Sequence, residues 1–175
     1  MDYIMLQKEQ LSSHLFDGFI RRQIVTKCRR YLNGQWTVQD APFIDDWDQA
    51  DYQMLLYYLQ RTVDTGGAVF GAFQNGILKG FASIEGTPMG VNGDYLDLSS
   101  LHVSADMRRN GIGRTLFFKA AEWARAHGAK KLYISSHSAI ETQAFYQAMG
   151  CTEAAEYNKA HVEQEPYDCQ LEFVL

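Results

Sequence analysis

The stretch "MRRNGIGRTLF", Met107 to Phe117, concentrates the clearest chemistry in the chain. Gly111 and Gly113 stand one residue apart, behind Arg108 and Arg109 and ahead of Arg114. Amides in a tight loop and in the first turn of a helix lack internal partners and point outward as donors. The helix dipole adds partial positive charge at that end, and glycines let a bulky anion approach the backbone. With three arginines added, the stretch suits a pyrophosphate. A bare Gly-x-Gly is equally an ordinary way to start a helix, and on this stretch alone both readings stand. It does not fit a P-loop, because Gly113-Arg114-Thr115 lacks the lysine. It does not fit the dinucleotide fingerprint, because Leu116 stands where a third glycine belongs.

The surrounding elements must place this loop. Residues 2–7 alternate as a first strand, and Ser12 or Ser13 caps a helix over "SSHLFDGFI". Asn33-Gly34 predicts a hairpin over Ile24–Asp40. "DDWDQADYQMLLYYLQRTV" reads as a helix, with Tyr52, Leu55, Leu56, Leu59 and Val63 at helical spacing. Asp45, Asp46 and Asp48 sit at its start, where they suit the dipole. A second, buried hairpin runs Ala68–Phe73 and Ile77–Glu85 around Asn75-Gly76.

The strand Tyr95–Val103 carries an irregularity. Leu96 and Leu98 share one parity, Leu101 and Val103 the other. An extra residue at Ser99-Ser100, a β-bulge, reconciles them; burial of both faces is the alternative. After the glycines, Ile112, Leu116, Ala120, Trp123, Ala124 and His127 predict one helix face, and Gly128 stops the helix. "KKLYISS" is a further strand. "SAIE", Ser138 to Glu141, predicts a capping box opening a helix that ends at Gly150. "TEAAEYN" and "YDCQLEFVL" read as two closing strands.

Composition narrows the partners. The chain has 175 residues, 46% hydrophobic and 21% charged, which fits one globular domain. Net charge is −5, with no basic patch for nucleic acid, so the balance leans toward small cationic partners. No membrane span and no signal peptide are visible, so the expected location is cytoplasmic. Cys28, Cys151 and Cys169 form no CxxC, and the five histidines have no ligand spacing. No disulfide framework and no metal site are expected.

Two segments together carry a family resemblance. Arg108-x-x-Gly111-x-Gly113, directly after a strand ending "LHV", resembles the Gln/Arg-x-x-Gly-x-Gly/Ala acetyl-CoA loop of the GNAT acetyltransferases. "FYQAMGC", Phe145 to Cys151, resembles the family's Phe-Tyr-x-x-x-Gly-Phe, with Cys151 in place of the last aromatic. Where the family often has an asparagine seven residues before the tyrosine, this chain has Ala139, so that contact is missing or moved to Ser138 or Thr142. The resemblance covers Ala68 to about Cys151. It implies an α/β (α+β) single-domain fold, a mixed central sheet splayed at the bulge with helices on both faces. Residues 1–66 are then the variable acceptor side with a hairpin insertion, 67–151 the acetyl-CoA-binding core, and 152–175 the closing strands.

The resemblance further implies how acetyl-CoA is held. Its pantetheine arm would pair with Leu101, His102 and Val103. Its pyrophosphate would lie on the amides from Arg109 through Asn110, Gly111, Ile112 and Gly113 to Arg114. An N–H near Leu101 would stabilise the oxyanion, and the amine would attack directly. Two proton tasks follow. Tyr146, four residues from Thr142 on a face distinct from Ile140, Ala144 and Ala148, is the candidate acid; a packing tyrosine is the alternative. Asp97 is the candidate base and Glu85 its rival, with a water route also open.

The acceptor is the least legible part. Tyr31, Trp36, Phe43, Trp47, Tyr52, Tyr57 and Tyr58, with Asp45, Asp46, Asp48 and Asp51, would suit a cationic amine. Core packing and helix capping account better for most of these residues. The expectation is a small primary amine. A protein or peptide amine, a non-catalytic acetyl-CoA sensor and an unrelated nucleotide-binding protein are the alternatives. The apolar ending "LEFVL" either pairs in its own sheet or joins a homodimer.

Overall fold

Both Asn-Gly pairs close hairpins. Asn33 and Gly34 have φ of 51° and 83°, and Asn75 and Gly76 have 52° and 77°. Two successive left-handed residues match a two-residue loop to the twist of its strands. The computed structural model describes residues 1–175.

The chain opens with β1 (Asp2–Leu6) and two single-turn 3-10 helices, Lys8–Gln10 and Ser13–Phe16. The helix expected over "SSHLFDGFI" is therefore one turn, and Ser12 at its N-cap makes no side-chain bond. β2 (Arg22–Leu32) and β3 (Gln35–Asp46) form a two-stranded ribbon longer at both ends than the turn signal alone indicated. α1 (Gln49–Asp64) follows. Asp48 accepts from the amides of Ala50 and Asp51 at 2.7 and 3.0 Å, and Asp51 answers to the Asp48 amide at 2.9 Å. That reciprocal box starts the helix. Asp45 and Asp46, expected at the helix start, instead end β3 and pair with Arg21 and Arg22.

β4 (Ala68–Gln74) and β5 (Ile77–Ile84) sit centrally in a four-stranded sheet, between β1 and the strand Ser100–Val103. The next segment is divided between two sheets. β6 (Tyr95–Asp97) pairs in parallel with Lys131–Tyr133, while β7 (Ser100–Val103) pairs antiparallel with Gly80–Ser83. The break falls at Leu98-Ser99, one residue earlier than the parity shift placed it. Leu96, Leu98, Leu101 and Val103 all reach the same core, so the change of parity is real. The second sheet is ordered β6-β8-β10-β9, with β8 (Lys131–Ser136), β9 (Thr152–Glu153) and β10 (Cys169–Val174). The apolar last strand pairs along its whole length with β8 inside the chain's own sheet.

Helices cover both faces. In β4, Ala68, Phe70 and Ala72 face a core shared with α2 (Ile112–Ala126) and α3 (Ile140–Met149). Val69 faces the opposite core, with Leu59 of α1 buried there and Tyr52, Leu55, Leu56 and Val63 packed around it. Ile112, Leu116, Ala120 and Ala124 are buried as the helical period requires. His127 departs from that face. It is exposed, its Nδ1 2.8 Å from the Trp123 carbonyl oxygen.

Two further expectations are corrected. Ser138 does not cap α3. It is buried, and its hydroxyl accepts from Arg30, while Ala139 takes the N-cap position without a side-chain bond. "TEAAEYN" is not a full strand: only Thr152–Glu153 pairs, and α4 (Lys159–Gln164) intervenes before β10. Asn158 caps α4 by accepting from the amides of Ala160 and His161. No helix is long and apolar enough to cross a membrane.

Candidate active site

The splay between the two sheets opens a cleft of about 890 Å³. One wall is β7, the terminal strand of its sheet, whose outer edge has no strand partner. An open strand edge is a template for another extended, amide-bearing chain. The loop after β7 bends through a 3-10 turn, Ala105–Met107, into α2. Arg109 (φ 64°) and Gly111 (φ 77°) both adopt left-handed conformations there. For Gly111 this explains the residue type, since a side chain in that conformation is strained. The first helical bond runs from Thr115 N–H to the Gly111 carbonyl at 3.0 Å. The amides before it are free of helical partners and face a positive helix end.

Leu101, His102, Val103, Arg108, Arg109, Gly111, Ile112, Gly113, Arg114, Thr142 and Tyr146 all line the cleft. Asn110 and Ser138 do not. The Asn110 amide instead donates to the carbonyls of Met107 and Arg108, holding the loop's shape. Arg108 is also partly structural: its Nη2 donates to the Arg22 carbonyl at 2.7 Å. Gly80 of β5, under the start of α2, has no room for a side chain. A Cβ there would stand 2.7 Å from Ile112 Cγ2, which seats the start of α2 against β5.

Tyr146 is 7% exposed and packs edge-on to Phe117 and Phe145. Burial, then the charges of Cys151, Asp168 and Asp97, push its phenol above the ordinary tyrosine value. The hydroxyl thus keeps its proton at neutral pH. Asp97 and Glu85 flank the break in the strand without lining the cleft. The Glu85 amide donates to the Asp97 carbonyl at 2.9 Å. The Glu85 carboxylate accepts from Thr62 and Ser99 hydroxyls, both at 2.7 Å. Asp97, 7% exposed, has Oδ2 2.8 Å from His161 Nε2, and its Oδ1 has no partner. His102 packs against Trp47 and Phe81; burial, reinforced by Arg21 and Arg108, pushes it down to about 3, so it is neutral.

The opposite wall is built by residues that periodicity did not single out. Ile20 to Ile24, entering β2, face the cleft. β2 then crosses to the far side of the splay. Gln23 reaches Thr142, Cys28 bridges to Ala139, and the Arg29 amide donates to the Ser138 carbonyl at 2.7 Å. His161 was also missed, because the six-residue α4 carries too little apolar pattern to show as a helix. Asn158, a good capping residue, was the available signal.

A sequence model of the acetyltransferase (GNAT) family matches residues 29–151. The chain belongs to the GNAT acetyltransferase family. Transfer of an acetyl group from acetyl-CoA is the chemistry of that family. No curated protein matches the sequence. Among solved structures, a Bacillus anthracis str. Ames protein assigned as a streptothricin acetyltransferase, in complex with acetyl coenzyme A, aligns with TM-score 0.71 at 15% identity, covering 99% of each chain. Nourseothricin acetyltransferase aligns with TM-score 0.68 at 17% identity, over 98% of this chain and 95% of that one. Ribosomal-protein-alanine N-acetyltransferase from Brucella melitensis aligns with TM-score 0.60 at 16% identity over the whole of both chains. At these identities the likeness shows a shared GNAT fold.

The cleft fits acetyl-CoA on its own features. The open β7 edge matches the two amides of the pantetheine arm, and the free amides from Arg109 to Arg114 match a pyrophosphate. Exposed Arg109 and Arg114 add charge beside it.

Proposed function

We propose that this GNAT protein is an N-acetyltransferase that acetylates a primary amine of a small molecule by direct attack within a ternary complex. The observation that carries this is Tyr146: a protonated, unpartnered phenol in the same cleft as the anion-binding loop and the open strand edge. Acetyl-CoA supplies the activated acetyl group. The backbone of Leu101 to Val103 and the amides of Arg109 to Arg114 hold and orient it. Asp97, outside the cleft lining but close enough to Tyr146 to act on its ionisation, receives through water the proton that the amine must lose. Tyr146 gives its proton to the departing thiolate. Each proton transfer is worth about 10²–10⁴-fold.

A small acceptor is supported by the β2–β3 ribbon. It crosses the splay, held through Gln23, Cys28 and Arg29, and Trp36 Nε1 donates to Glu153 of β9 at 3.2 Å. Such a strap covers one side of the acceptor region, and a small amine fits beside it more readily than the surface of a folded protein. The chain's three cysteines are free and buried, which supports action in a reducing compartment such as the cytoplasm.

The test is thiol release from acetyl-CoA with a panel of amines, beside thermal shift with acetyl-CoA, ATP and NAD. Stabilisation by acetyl-CoA alone and amine-dependent thiol release are expected. Stabilisation by ATP or NAD instead, or no release with any amine, would sink the proposal.

A further inference from the structure

The acceptor side of the cleft contains a guanidinium with more donors than the chain satisfies. Arg21 lines the cleft and is only 7% exposed. Its Nη2 donates to Asp45 Oδ2. Its plane lies over Trp47, 5.0 Å from the ring centroid, and Trp47 in turn packs on His102 of β7. The Arg21 amide donates to the Tyr52 hydroxyl at 3.1 Å, so the residue is fixed at its backbone as well. Nε and Nη1 are fully buried, and no acceptor in the chain reaches either. Buried donors are nearly always met, and those of a charged group most of all.

The local charge points the same way. Arg108 stands near enough to Arg21 and Asp45 to feel both, and its own hydrogen bonds go only to the carbonyls of Val103 and Arg22. Two guanidiniums therefore share one carboxylate. His102, which feels both arginines, is neutral and contributes no charge. The aspartates that would make an anionic mouth for a cationic amine are engaged elsewhere: Asp45 with Arg21, Asp46 with Arg22, Asp48 and Asp51 in the cap of α1. Glu141 also lines the cleft, but in the cluster of Arg21, Arg108 and Asp45 the positive charges outnumber the negative by one.

We propose that Arg21 anchors a carboxylate of the acceptor, so that the substrate is an aminocarboxylate, such as a free amino acid, whose amine is acetylated. This rests on the N-acetyltransferase reading above and narrows its substrate class. Trp47 covers the guanidinium, Tyr52 holds the Arg21 backbone, and Asp45 takes Nη2, which leaves the buried Nε and Nη1 as the donors for the ligand.

The experiment compares amino acids with their carboxamides and with the matching decarboxylated amines, in thiol release by the full chain. The same compounds are also added to the CoA-bound protein in thermal shift. Acids are expected to be preferred. Arg21→Gln should collapse the acid-to-amide preference by about 30-fold or more, with the stabilisation by acetyl-CoA retained. Arg21→Gln also frees Asp45 and threatens folding. Asp45→Asn therefore serves as the second variant: it keeps the cation, removes its internal partner, and should leave the preference for acids intact or stronger. Equal use of acids and amides, no acid that either reacts or binds, or an Arg21→Gln defect confined to acetyl-CoA would each overturn the inference. The last result would assign the free donors to a phosphate of the cosubstrate. Amides acetylated without preference would sink this inference alone. Failure of acetyl-CoA to bind would sink the parent reading.

Discussion

Asp97 Oδ2 lies 2.8 Å from Nε2 of His161, joining the last residue of β6 to a short helix 64 positions later in the chain. The contact ties the candidate base to the closing segment, and Tyr133 stacks on the imidazole. The bond to Asp97 raises the His161 pKa above its ordinary value, against the opposing effect of burial. The folded-state value thus exceeds the unfolded one. The pair's contribution is complete below the unfolded pKa of about 6.5 and is lost as pH rises through the folded value. His161→Gln should cost about 1.5–3 kcal/mol at pH 6 and progressively less toward pH 9. Urea melts across that range check it; a cost that grows with pH would refute the pairing.

Tyr146→Phe removes one hydroxyl that no protein group bonds, so packing against Phe117 and Phe145 survives. Turnover should fall by about 10²-fold or more, while the melting temperature and the KM for acetyl-CoA stay close to wild type. The fall should be uniform across the assayable pH range, since the buried phenol, held above the ordinary tyrosine value, stays protonated throughout it. Unchanged turnover would return Tyr146 to a packing role.

Legibility followed the range of the forces involved. The two Asn-Gly turns, the face of α1 and the parity shift in Tyr95–Val103 are local patterns, and each appeared in the structure within a residue or two. The loop from Arg108 to Gly113 was legible because its function rests on backbone conformation, which glycine spacing reports. Asp45 and Asp46 misled for the opposite reason. A carboxylate near a helix start and one in a salt bridge across a ribbon look alike in sequence, and only Arg21 and Arg22, more than twenty residues earlier, decide between them. Ser138 misled similarly: its hydroxyl had a local partner to hand, yet Arg30 from β2 took it. Arg21 and His161 were invisible because their meaning depends wholly on long-range placement.

Gly111 and Gly80 serve the same loop by different means, and their variants should separate. Gly111 is exposed, and a Cβ added there would meet nothing within 4 Å, but its φ is +77°. Gly111→Ala should cost about 1–2 kcal/mol and, by turning the amides that follow, raise the KM for acetyl-CoA. At Gly80 a Cβ would meet Ile112 Cγ2 at 2.7 Å and Leu116 Cδ1 at 3.0 Å. Gly80→Ala should cost about 1–3 kcal/mol through overpacking and lift the first turn of α2. Melts paired with acetyl-CoA titrations distinguish the two. Full affinity in Gly111→Ala would show that the loop tolerates another conformation.

Asp168 gives the opposite pH signature to His161. Burial pushes its carboxyl up to about 6; a hydrogen bond from Ser135 opposes this, Glu165 adds to it, and His161 and Arg30 counter it weakly. A carboxyl whose folded pKa is raised weakens the fold when it ionises. The penalty is absent below the unfolded value near 4, builds as pH rises toward 6 and is full above it. Asp168→Asn keeps an acceptor for the Ser135 hydroxyl and removes the charge. The variant should therefore be more stable than wild type at pH 7.5, by on the order of 1–3 kcal/mol, with the difference fading by pH 4. The aspartate also adds to the field that keeps Tyr146 protonated. A variant less stable at pH 7.5 than at pH 4, relative to wild type, would mean that the ionised carboxylate is a stabilising partner of Arg30 or His161.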